Sequence, residues 1–79
     1  LTRAQFVTML NRLFDVKSAP YTGSIGDIGE GAWYTPYVEA AYAADLIPKE
    51  MITDGFKPDS NITREEIASL AVRDYERFS

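Results

Sequence analysis

The sequence predicts an all-α fold with long ordered connections, and three observations carry that prediction. Two stretches begin on a threonine followed three residues later by Gln or Glu, then by an apolar stripe: Thr2 with Gln5, and Thr63 with Glu66. This is the capping-box signature, in which each side chain satisfies the other residue's unpaired backbone donor at a helix start. Between them, Tyr37, Val38, Ala41 and Tyr42 recur at helical spacing. The pattern around Ile25, Asp27 and Ile28 is too short to argue a strand and reads as an ordered loop.

The first helix follows from Thr2, with Phe6, Met9, Leu10, Leu13 and Phe14 forming one apolar stripe. Residues 15–31 are irregular, since "SAPYTG" and "GEG" supply turn residues. A second helix begins near Trp33 or Tyr34, because Pro36 is tolerated in a first turn where its missing N–H costs little. Its stripe of Tyr37, Val38, Ala41, Tyr42, Ala44 and Leu46 carries it to about Asp45, and Pro48 stops it. Asp54-Gly55 marks a turn in the next connection. Ile67, Leu70, Ala71 and Tyr75 then line a last helix that runs to the end of the chain. Connections this long in so small a unit suggest either function or packing against absent neighbours.

At 79 residues the chain is one domain or part of one, and Leu1 already sits inside a motif, so it reads as a piece of something longer. It has no cysteine and no histidine, which excludes disulfides, thiolate or imidazole metal sites, and Cys- or His-based catalysis. A net charge of −4 argues against general nucleic-acid binding. No apolar run approaches the ~18 residues that a membrane span needs. Asp54, Asp59 and Asn61 lack the spacing and closing glutamate of a calcium loop, so no metal or other cofactor is implied. Glu65, Glu66, Asp59 and Asp54 supply acids, but neighbours on a helix start do not face each other across a substrate, as paired glycosidase carboxylates must.

The two ends of the chain echo each other at one constant offset. Leu1/Ile62, Thr2/Thr63, Arg3/Arg64, Gln5/Glu66, Phe6/Ile67, Met9/Leu70, Arg12/Arg73 and Phe14/Tyr75 match in chemistry. Capping explains the threonines and Gln5/Glu66 but not the arginines, since a cation at a helix N-terminus opposes the helix dipole. An arginine there, beside unpaired backbone N–H groups, makes a place for an anion.

From Ser24 to about Val72 the chain resembles one complete S-layer homology (SLH) repeat. The resemblance rests on Ile25, Asp27 and Ile28, then Trp33, "YV", "DLI" and "GFKPDSNITREE" in that order. The opening "LTRAQFVTMLNRLF" resembles the closing helix of a preceding repeat. The implied organisation is a closing helix at 1–15, a linker at 16–24 and one full repeat at 25–79. Members of this family typically carry three repeats about a pseudo-threefold axis. They anchor exported proteins to the bacterial cell wall by binding secondary wall polysaccharides, often pyruvylated ones. The resemblance thus implies a non-catalytic wall-binding module, extracellular at the cell surface. Its partners would be polysaccharide and further repeats; the alternative is a self-assembly module that binds no sugar. Asp45 departs from the glycine usual before "LI", where a left-handed helix end is expected.

For the site, Arg3 and Arg64 either fork onto a sugar carboxylate or bridge to Asp27, Asp59 or a neighbouring glutamate. Thr2 and Thr63 are caps first and present oriented amides to any ligand. Trp33, the one tryptophan, either stacks on a sugar ring or seats the second helix on the core. Asp27 either accepts from a sugar hydroxyl, orients an arginine, or caps a loop.

Overall fold

The first and last helices start where their capping boxes put them. The computed structural model describes residues 1–78 and contains α1 (Arg3–Leu13), α2 (Thr35–Ala43) and α3 (Arg64–Phe78), with a short 3-10 turn at Lys49–Ile52 between the last two. At the start of α1 both halves of the capping box form: the Gln5 amide donates to Thr2 Oγ1 at 3.1 Å, and the Thr2 amide donates to Gln5 Oε1 at 2.9 Å. The pair is repeated at the same distances by Thr63 and Glu66. Among the described residues the remaining regular pairing is one antiparallel bridge, Thr2 with Asn61, so the fold is all-α.

That bridge decides the topology. The Arg3 amide donates to the Ser60 carbonyl at 2.9 Å, the Ala4 amide to Pro58 at 3.1 Å, and the Ile62 amide to the Leu1 carbonyl at 2.9 Å. The two Thr-Arg starts, at opposite ends of the sequence, therefore lie side by side.

Helix α1 packs on α2, with Ala4, Val7 and Leu10 against Val38 and Ala41 in one core. Asn11 is buried between them and donates from Nδ2 to the Tyr37 carbonyl at 2.7 Å. The stripe expected on α1 is in fact two faces. Val7 and Leu10 look into the core, whereas Met9 and Leu13 are more than half exposed on another face. The same holds on α3, where Leu70 is buried but Ala71 and Tyr75 are exposed.

The long connections are ordered because they supply much of the core. Ile25, Ile28, Leu46, Ile47, Phe56 and Ile62 all lie outside the helices and are buried. Each apolar side chain buried this way contributes about 1.5–3 kcal/mol, which offsets the entropy of fixing irregular backbone. The stretch at 16–24 is also docked. The Ala19 amide donates to the Pro36 carbonyl at 3.0 Å, and Thr22 donates its amide and hydroxyl to the buried Glu39 carboxylate at 2.8 and 2.9 Å.

Helix α2 ends at Ala43, two residues before the expected limit, because the backbone turns left-handed at Asp45 (φ +62). The Asp45 amide donates to the Tyr42 carbonyl and the Leu46 amide to Ala41, the paired bonds of a Schellman end. Asp15 (φ +56) closes α1 in the same manner, its amide donating to the Arg12 carbonyl and the Val16 amide to the Asn11 carbonyl. Helix α3 runs through Phe78; Ser79 lies outside the described residues.

A candidate functional site between two helix starts

The start of α1, the segment 48–57 and the first half of α3 enclose a polar cleft of about 840 Å³. Its cations are Arg3, Lys57 and Arg73; Glu50, Asp54, Glu65 and Glu66 supply acids.

Arg3 is held in place by the fold. Its side chain is 14% exposed, its Nη1 donates to the Phe56 carbonyl at 2.8 Å, and its Nη2 pairs with the Glu66 carboxylate. Asp27 grips the same turn from the other side, accepting the Phe56 and Lys57 amides at 2.8 Å each. Its carboxylate also crowds Gly55 (φ +95), where an added Cβ would come within 2.8 Å of it. Phe56 is thus clamped by its amide, its carbonyl and its buried ring.

Of the site residues expected from the sequence, Arg3 and Thr63 line the cleft. Among the alternatives for Asp27, the structure realises loop capping, onto a turn 29 and 30 residues away. Thr2 and Thr63 both act as caps. Trp33 is 57% exposed, so it does not seat α2 on the core; it meets Tyr34 edge-on at 5.6 Å and leaves the indole largely open to solvent. Burial raises the Tyr34 hydroxyl above its ordinary range, and the nearby Asp59 and Asp27 charges add to this. Arg64, the counterpart of Arg3, is exposed, and its side chain makes no hydrogen bond or ion pair among the described residues.

Sequence reasoning did not single out Lys57 or Arg73. Lys57 (φ +56) is exposed, and its ammonium makes no ion pair among the described residues. Arg73 lies two helical turns after Glu66 on the same face of α3, a spacing that was available to find it. Its Nη1 donates to the Asp45 carbonyl at 2.6 Å and to Asp74 at 2.8 Å, and its Nη2 to the Asp45 carboxylate at 2.9 Å. Complete burial pushes the Asp74 carboxyl above the ordinary aspartate range, against the pull of Arg73.

Glu66 has the opposite shift. Its bond from the Thr63 amide, followed by its pairing with Arg3, holds its carboxyl below the ordinary glutamate range. The folded state then keeps Glu66 charged where the unfolded chain binds a proton. Its stabilisation is complete above the ordinary range and is lost as pH falls through the lowered folded value. Thermal melts against pH should show this: Glu66→Gln lowers the melting temperature at neutral pH and flattens the acid limb. An acid limb as steep as in the parent would assign it to other carboxylates.

A second cleft, of about 1140 Å³, separates α1 from α3. It is almost wholly apolar, formed by Phe6, Met9 and Leu13 facing Ile67, Val72 and Tyr75, with Arg12 and Glu76 also lining it.

Residues 24–68, more than half of the chain, match the family model of the S-layer homology domain. The chain belongs to the SLH family. Over all 79 residues it is 40% identical to exoglucanase XynX of Acetivibrio thermocellus and 40% identical to amylopullulanase of Thermoanaerobacterium thermosulfurigenes. It is also 38% identical, over 96% of its length, to the S-layer protein sap of Bacillus anthracis. It spans 7%, 4% and 9% of those proteins, respectively. SLH domains are in general wall-anchoring modules, which places this chain at the bacterial cell surface. No described helix is long and apolar enough to cross a membrane.

Proposed function

We propose that this SLH unit is a non-catalytic anchor that binds secondary cell wall polysaccharide, pyruvylated polymers included, in a groove between repeats. The observation that carries the reading is the make-up of the polar cleft. One wall begins at Arg3, at the start of the helix that echoes α3; the other walls are the loop 48–57 and α3. This make-up supports reading the cleft as a groove between two repeat units. In this reading the organisation is a closing helix at 1–15, a docked linker at 16–24 and a full repeat from 25 onward.

Lys57 lines the cleft, while Arg64 and Trp33 stand exposed outside its lining; in this reading these three are the outward-facing groups for sugar hydroxyls, carboxylates and ring faces. Arg3, Asp27, Thr2 and Thr63 hold the amides and the cleft walls in place. A net charge of −4 does not prevent local contact with an anionic polymer, because at physiological salt the Debye length is only about 8 Å. Weak single-site binding would be raised by avidity across repeats.

The test is retention on purified pyruvylated wall polysaccharide. Lys57→Ala and Arg64→Ala should each weaken retention about fivefold, the worth of roughly 1 kcal/mol for one exposed charged contact, with the helical circular dichroism intact. Retention equal to the parent in both variants would sink the assignment.

The apolar cleft supports a second role alongside the first. Met9 at 54%, Leu13 at 74%, Val72 at 58% and Tyr75 at 68% exposed make a face of the kind that marks a protein contact. A helix of a neighbouring repeat, or of a second copy, would cover it. Sedimentation should show self-association that Leu13→Ser abolishes; a strictly monomeric species at high concentration counts against a second copy.

A further inference from the structure

Asp45 has two unusual properties at once. It sits in the left-handed region (φ +62), which a non-glycine side chain rarely adopts, and it satisfies two arginines of another helix. The carbonyl and one carboxylate oxygen both accept from Arg73, at 2.6 and 2.9 Å, while the other carboxylate oxygen accepts from Arg77 at 2.7 Å. The buried Asp74 takes a further Arg73 bond at 2.8 Å. Arg73 lines the polar cleft, whereas neither Asp45 nor Arg77 does.

The consequence is electrostatic. Arg3 is already neutralised by Glu66, and Arg73 is compensated by two carboxylates. Of the three cations that line the cleft, Lys57 alone keeps an uncompensated charge among the described residues, against Glu50, Asp54 and Glu65. A ligand carboxylate approaching Arg73 would have to displace or share bonds that Asp45 makes at short range from a preorganised turn. An uncharged, hydroxyl-rich sugar meets no such competition, since it can use the acids as acceptors and the remaining donors as they stand.

We propose that Asp45 is an internal counter-anion for Arg73 and a specificity-determining residue of this chain, turning the polar cleft toward uncharged sugar units in preference to carboxylate-bearing ones. The proposal deepens the polysaccharide-binding reading and rests on it for the identity of the ligand. It does not rest on it for the state of Arg73. Asp45 acts through Arg73 and is a positioning residue.

The decisive variant is Asp45→Asn. Asparagine tolerates the left-handed conformation and keeps the carbonyl that Arg73 uses, so the helix end survives while the charge is lost. Two probes are used with the whole chain: purified pyruvylated wall polysaccharide, and the same polymer after mild-acid removal of its ketals. Sodium pyruvate serves as a free carboxylate, followed through the Arg73 Nε–H resonance. The parent should bind the ketal-free polymer more tightly than the pyruvylated one, and its Arg73 signal should not respond to pyruvate. D45N should raise the preference for the pyruvylated polymer about tenfold, as expected for one charge-assisted contact, and its Arg73 signal should titrate. Adding Arg73→Gln should return the preference to the parent value.

A silent Arg73 signal in D45N overturns the proposal, as does a preference that persists in D45N/R73Q. If neither polymer is retained by any variant while Arg73 of D45N still titrates with pyruvate, the counter-anion role stands and the polysaccharide reading falls.

Discussion

Phe56→Ala should bring the domain close to unfolding. The ring is completely buried and heads the fully buried side chains by volume. Truncating a buried phenylalanine costs about 3–5 kcal/mol, and a chain of this length has a total stability of roughly 4–12 kcal/mol. The expected fall in melting temperature is on the order of 15–30 °C, read by circular dichroism. The effect is larger than volume alone suggests, because Phe56 is where the α1 start and the 24–31 loop meet. Its carbonyl binds Arg3 and its amide binds Asp27, so a collapsing cavity pulls on both. A loss below about 1 kcal/mol would mean that the irregular segments can close over the gap, and that they contribute less to the core than their burial indicates.

The second large effect separates two arginines that are alike in sequence. Arg3→Met should cost about 2 kcal/mol in denaturant unfolding, since it takes the Arg3 donor from the Phe56 carbonyl and from Glu66 Oε2, leaving that carboxylate only its Thr63 amide bond through Oε1. The figure is below that for a fully buried pair because Glu66 remains 26% exposed and water takes up part of the loss. Arg64→Met should leave stability unchanged within error, because that side chain is exposed and makes no bond among the described residues. Equal losses at the two positions would show that Arg64 has a structural partner. Equal silence would show that the Arg3 latch is energetically idle.

Local chemistry was legible from the chain itself. A capping box needs only residues three apart, so Thr2–Gln5 and Thr63–Glu66 could be assigned, and with them the starts of α1 and α3. The end of α2 falls two residues before the limit its sequence suggests, because a left-handed aspartate carries no strong local signal. The groups that stabilise it, Arg73 and Arg77, belong to α3 and lie far along the chain. The apolar stripe of α1 splits into two faces for a related reason. Periodicity registers that Met9 and Leu10 are apolar but not which neighbour each meets. The structure sends Leu10 to α2 and Met9 to the open cleft.

The candidate site divides along the same line. Composition excluded cysteine and histidine chemistry outright, the echo of Leu1–Phe14 in Ile62–Tyr75 disclosed the repeat, and the motifs from Ile25 to Glu66 disclosed the family. What each site residue does depended on contacts made across the fold. Asp27 caps a turn 29 residues away, Arg3 binds a carboxylate 63 residues away, and Trp33 stands exposed beside Tyr34. Helix starts and repeat spacing are set by bonds within a few residues, so the sequence alone determined them. The pairing of Arg3 and Arg73, and the openness of Arg64 and Lys57, depend on which distant backbone and carboxylate groups folding brings within about 3 Å, and only the tertiary structure decided those.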